Sequence, residues 1–197
     1  MQIPVYAFTG FIKSGKTKFI QETFEDERFN DGTRTLLLVC EKGREQYDSS
    51  TYPHACVYLE QIEQEKVTAE ELDALQKKHH AKRVVVELNG MQLVGDFYQK
   101  MPQEWVIAQE VMFADSTTIQ AFNANLRNLV VDKLSGCEMV VFNRVKKGAD
   151  TMPLHKLARA VNRRVDIVYD FTDGSTAFDE IEDPLPFDIN APVITIA

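Results

Sequence analysis

Several things are scarce in this chain. Of its 197 residues only three are cysteine, Cys40, Cys56 and Cys137. An odd number of widely spaced cysteines excludes a disulfide framework and leaves free thiols as the expectation. The longest apolar runs, such as Leu36 to Cys40 and Val84 to Val86, stop far short of the roughly 20 residues that span a bilayer. No charged and then apolar leader precedes the first apolar run, so a cytoplasmic protein with no membrane role is expected. Positive charge is in deficit. The 22 Lys and Arg against 30 Asp and Glu give a net charge of -8, which excludes a protein that works by coating nucleic acid or anionic lipid. Four scattered histidines form no Ser-His-Asp or Cys-His nucleophile arrangement, and no internal repeat is present.

What remains is ordinary globular composition, 44% hydrophobic and 26% charged, in a length that suits one medium domain with a short appendage. Runs rich in Val, Ile, Leu and Phe alternate with stretches of helical period, which predicts a three-layer α/β fold: a mostly parallel sheet with helices on both faces. Strands are expected over residues 3–8, 35–40, 56–59, 83–88, 106–114, 139–142 and 165–169. Helices are expected over 15–26, with Phe19, Ile20 and Phe24 on one side, and over 68–79, where Thr68 and Glu71 form a capping box. A short helix over 94–101 ends before Pro102. Ile119, Phe122, Leu126, Leu129, Val130 and Leu134 form one apolar stripe, and Pro153 opens a last helix. From Asp170 the composition turns acidic with Gly and Pro. Residues 1–170 are therefore expected to form the main domain, and 171–197 an extension that closes on a strand at 193–196.

The chemistry concentrates after the first strand. Gly10-Phe11-Ile12-Lys13-Ser14-Gly15-Lys16-Thr17 is a G-x-x-x-x-G-K-[ST] loop in the strand, loop, helix context that a phosphate-binding loop requires. Glycines let the main chain turn its amides inward, and the helix N-terminus adds further donors for a nucleotide's phosphates. Gly10, Lys13, Ser14, Gly15, Lys16 and Thr17, with Lys18 following, are the expected phosphate contacts. Lys16 carries the positive charge, and Thr17 places a hydroxyl on Mg²⁺. A nucleotide hydrolase also needs carboxylates at the carboxyl ends of neighbouring strands, where Glu41, Glu87 and Asp115 stand. Glu87 follows three valines and precedes Gly90, whose missing side chain lets backbone approach a phosphate, so Glu87 is the expected metal-linked carboxylate.

These motifs resemble the CobW/UreG/HypB-type family of P-loop GTPases, the metal-chaperone branch of the SIMIBI class. The loop is similar to the family's GFLGAGKT. The segment from Cys40 to Asp48 matches its NEFGEVGID at Glu41, Gly43 and Asp48, and Glu87-Leu88-Asn89-Gly90 matches E-x-x-G. Over roughly residues 2–170 the resemblance implies Mg²⁺-dependent GTP binding and slow hydrolysis. Lys16, Glu41 and Glu87 would be catalytic, Thr17, Glu41 and Glu87 would hold metal, and Gly90 would sense the γ-phosphate. It also implies a protein partner or homodimer in metal-cofactor handling or protein maturation. Two features depart from the family. Its base motif N-K-x-D is replaced by Asn143-Arg144-Val145-Lys146, with no carboxylate at the fourth place, so Asn143 and Arg144 are the base contacts and ATP stays open as the substrate. The family's C-x-C-C metal motif is reduced to His54-Ala55-Cys56, too few donors for a tight Zn²⁺ site unless Cys40 or a partner chain completes it. Two alternatives are a nucleotide-binding regulatory or assembly module with little turnover, and an ATP-specific P-loop enzyme such as a small-molecule kinase.

Overall fold

A computed structural model describes residues 2–41 and 46–181. The stretch around Gly43 and the strand expected at 193–196 lie outside the described residues. The strands are β1 (Ile3–Thr9), β2 (Thr35–Val39), β3 (Val57–Gln61), β4 (Arg83–Glu87), β5 (Trp105–Asp115), β6 (Met139–Val145), β7 (Asp166–Phe171) and β8 (Thr176–Phe178). The helices are α1 (Lys16–Glu25), α2 (Ala69–His79), α3 (Val94–Tyr98), α4 (Ile119–Asn125), α5 (Arg127–Gly136) and α6 (Met152–Arg159). One sheet in the order β3-β2-β4-β1-β5-β6-β7-β8 is parallel except for β8, which pairs antiparallel with β7. This is the expected three-layer architecture with the topology of a P-loop NTPase.

The sequence explains the order of burial. Leu36 to Val39 and Val84 to Val86 are apolar at every position because β2 and β4 are covered on both faces. The crossovers from β1 to β2 and from β2 to β3 run opposite to the later ones, and of these two only the first carries an α-helix, so right-handed connections put α1 on one face and the other helices on the opposite one. There Ile20 and Phe24 pack with Phe8, Leu37, Val85, Val111 and Val141. On the other face, α2 and α3 cover one half of the sheet and α4, α5 and α6 the other. Thr68 caps α2 as expected, its hydroxyl accepting from the Glu71 amide at 3.2 Å.

Two expectations need correction. The apolar stripe from Ile119 to Leu134 is two helices, because Leu126 leaves helical geometry (φ -132, ψ 44) and the Asn125 amide bonds back to the Ala121 carbonyl at 2.8 Å. The break preserves the apolar spacing, so periodicity does not reveal it. Phe19 does not share the buried side of Ile20 and Phe24: it is 40% exposed, although its ring lies 4.8 Å from that of Phe113. His155 on α6 is buried, with Nδ1 2.7 Å from the Asp179 carboxylate. The sequence reading also omits β8, which follows a turn where Gly174 has φ 84.

Glu110 on β5 is a buried carboxyl that accepts one hydrogen bond, from Tyr98 at 2.6 Å, while its other oxygen has no partner. Burial raises its pKa above the ordinary carboxylate value, so the unfolded chain loses this proton before the folded one does. Stability therefore falls as pH rises from the ordinary value through the folded one. Glu110→Gln, which is never charged, is expected to match the wild type in acid. At neutral pH it is expected to exceed it by on the order of 1 kcal/mol, about 2–4 °C in a chain this long. Thermal melts of both proteins across that range test this; a constant difference would show that burial of charge is not the cause.

Candidate functional site

The loop that follows β1 is held from three sides. Phe11 is buried and stacks flat on Phe122 of α4, centroids 4.0 Å apart, with the Lys133 ammonium 5.7 Å from the Phe11 ring centre. The end of β6 grips the loop's other limb: the Asn143 amide donates to the Ser14 carbonyl, and Arg144 donates to the Lys13 carbonyl at 2.8 Å. Both Lys13 and Arg144 have left-handed backbone (φ 64 and 56), and the β6 register with β7 shifts between Phe142 and Val145. Gly15 caps α1 with φ 96, where a Cβ would lie 2.5 Å from the Asn143 amide nitrogen, so both its conformation and its neighbour require glycine. Ser14 is buried with its hydroxyl unpartnered. The first amides of α1 have no carbonyl one turn earlier within the helix.

Lys16 does not stand out into solvent as a free phosphate ligand would. It is 2% exposed and folds back on its own loop, donating to the carbonyls of Gly10 at 2.8 Å and Phe11 at 3.1 Å. Its third bond, at 2.8 Å, goes to Oε2 of Glu41, one residue past Cys40 at the end of β2. The other Glu41 oxygen accepts from the Gly90 amide at 3.3 Å. One carboxylate thus bridges the loop lysine and the glycine that follows β4. A Cβ on Gly90 would run into the Gly10 carbonyl and sit 2.7 Å from Phe11 Cα, so glycine is required for these two loops to meet.

Glu87 forms the second half of the site. Its Oε1 accepts from the Thr17 hydroxyl at 2.7 Å and its Oε2 from the Tyr47 hydroxyl at 2.6 Å. Burial, then the Glu87 charge, holds the Tyr47 phenol well above its ordinary pKa, so it stays a donor. Tyr47 was not expected here; an aromatic residue six positions after Glu41 in a polar stretch was the available signal. Gln21 of α1 fastens that segment, donating to the Asp48 carbonyl at 3.0 Å and accepting from its amide at 3.1 Å. Lys133 was also missed. Buried on α5, it donates to the Gln92 carbonyl at 2.9 Å, while Asp132 accepts from the Val94 amide at 3.0 Å, and together they brace the loop that carries Gly90.

Thr17 and Glu87 supply adjacent hard oxygen donors, which fit Mg²⁺, an ion usually held by one or two carboxylates together with phosphates and water. Among the described residues no group of three or more His, Cys, Asp and Glu could hold a metal by itself. His54 and Cys56 do not form one: the buried Cys56 thiol donates to Asn30 at 2.9 Å, and burial raises its pKa. Cys40 is pushed up to about 12 by burial, then by the Glu87 and Glu41 charges, so it is a thiol at neutral pH. Lys18 is exposed, 3.6 Å from Glu22. Asp115 pairs with Arg144 and bonds to Thr117, which removes it from the Glu41 and Glu87 cluster. No helix among the described residues is long and apolar enough to cross a membrane.

No family model matches the sequence, and no curated protein matches it significantly. Among solved structures, the fold is similar to the crystal structure of the hydrogenase maturation factor HypB from Archaeoglobus fulgidus, with a TM-score of 0.56 and 18% identity over 87% of this chain and 82% of that one. At that identity the likeness establishes a shared fold, and the chain has the architecture of a P-loop nucleotide-binding protein.

Proposed function

We propose that this protein binds a Mg²⁺-nucleoside triphosphate on the Gly10 to Thr17 loop and hydrolyses it slowly, with GTP favoured. One observation carries the reading: the Lys16 ammonium and the Gly90 amide converge on a single oxyanion, the Glu41 carboxylate. Two donors on different loops that share one anion suit a terminal phosphate equally well. A triphosphate would displace Glu41 and take over its contacts, with the loop amides and Lys16 stabilising charge as it develops. Thr17 and Glu87 would hold Mg²⁺, which when bound supplies positive charge to the phosphate oxygens. Glu41, once released, would orient the attacking water or the metal's water shell. Because Tyr47 joins Glu87 to the segment after Glu41, and Gly90 joins Glu41 to the loop after β4, loss of the terminal phosphate would be felt by both segments together. Such a switch acts on a partner, and the likeness to a hydrogenase maturation factor supports a role in metal-cofactor handling or protein maturation, through a client protein or a second copy.

A second reading has its own support. Lys16 is sequestered by Glu41 and two carbonyls, which favours a nucleotide-binding module of low turnover. A thermal-shift series with GTP, GDP, ATP and ADP, each with and without Mg²⁺, tests binding. At 100 times the dissociation constant a ligand stabilises by about 2.7 kcal/mol. A larger Mg²⁺-dependent shift for triphosphate than for diphosphate is expected, and no shift with any nucleotide would end the proposal. Phosphate release then separates the hydrolase from the module.

A further inference from the structure

Strands β6 and β7 end side by side, and Asn143 on one and Asp170 on the other both face α1. With Gly15, Lys18 and Arg144 they border a groove of about 680 Å³ that continues between α1 and the strands over Val111, Val141 and Val168. Its mouth adjoins the phosphate loop, since Asn143 and Arg144 bond to the Ser14 and Lys13 carbonyls. The other charges that line this groove are engaged. Lys18 pairs with Glu22, and Arg144 with Asp115. The Asp170 carboxylate has no side-chain hydrogen bond or ion pair among the described residues.

We infer that Asp170 reads the base at this site and selects guanine, an inference that rests on the proposal that nucleotide phosphates sit on the loop. A carboxylate presents two acceptor oxygens side by side. Guanine offers two neighbouring donors, N1–H and the N2 amino group, to such a pair, and charge-assisted bidentate bonds are among the strong ones. Adenine offers an N1 lone pair at the same edge, which a carboxylate repels. The strand beside β6 supplies this carboxylate on the groove side, next to Asn143 and Arg144. The planar Arg144 guanidinium, fixed at the groove's border, offers a face on which a purine can stack.

The test is titration calorimetry of the full chain with the Mg²⁺ complexes of GDP, ADP and xanthosine diphosphate. Wild type is expected to prefer GDP over ADP by about 10²-fold or more, since a site built to bond a donor rejects the analogue lacking it. Asp170→Asn is expected to weaken GDP by about 10²-fold and to strengthen xanthosine diphosphate, whose C2 carbonyl accepts from the new amide. That gain also shows the variant to be folded. Asp170→Ala should weaken GDP without the gain. Unchanged GDP affinity in Asp170→Asn, or equal GDP and ADP affinity in the wild type, overturns the role of Asp170 while leaving phosphate binding intact. Absence of binding by all three overturns the underlying nucleotide reading as well.

Discussion

Lys16→Ala is expected to cut phosphate release by about 10²–10³-fold, the usual effect of removing one preorganised donor to developing charge. Nucleotide binding should weaken with it by roughly tenfold or more, since a hydrogen bond to a charged group contributes about 1.5–3 kcal/mol. The same change should destabilise the protein when no nucleotide is added. Glu41 would keep the Gly90 amide at 3.3 Å but lose the ammonium at 2.8 Å, with its side chain only 11% exposed. Breaking a buried pair from one side costs about 3–5 kcal/mol. Melting curves without nucleotide, and phosphate release with it, read the two effects separately. Normal release in a folded Lys16→Ala protein would remove Lys16 from the chemistry.

Glu41→Gln breaks the same ion pair from the other side, and the expected outcome for binding is opposite. The buried ammonium would lose the Glu41 carboxylate while keeping the Gly10 and Phe11 carbonyls, and the incoming phosphate would no longer compete with that charge. Triphosphate affinity should therefore rise by about 10–10²-fold, equivalent to roughly 1.4–2.8 kcal/mol. Turnover should fall, because the group that orients water or the metal shell has gone. Calorimetric titration with a slowly hydrolysed triphosphate analogue measures the first, and steady-state phosphate release the second. Affinity that stays level would mean that Glu41 does not compete with phosphate for Lys16. The paired variants are informative together, since a merely structural ion pair would give the same loss of stability from both sides and no change of sign in binding.

Much of this arrangement can be read from local pattern. A strand followed by Gly10, Gly15, Lys16 and Thr17 identifies the loop, and the uninterrupted valines of β4 place Glu87 at a strand end. Both signals survive because they depend on neighbours within a few residues. The division at Leu126 leaves no such trace, since two helices in sequence keep the apolar spacing of one. β8 is equally silent. Three half-polar, exposed residues have no periodicity, and only the partner strand shows where they go.

The amino-acid order alone determined a parallel sheet between helices, a phosphate loop at its first turn and carboxylates at the ends of the next strands, because each is written in a period or a short spacing. Tertiary structure decided what those groups touch: that Glu41 closes over Lys16 and Gly90, that Tyr47 joins Thr17 on Glu87, and that Asp170 faces the groove beside Asn143. The physical reason is that these contacts join residues dozens of positions apart on different elements. Their meeting is set by sheet order, and sheet order comes from the packing of the whole chain.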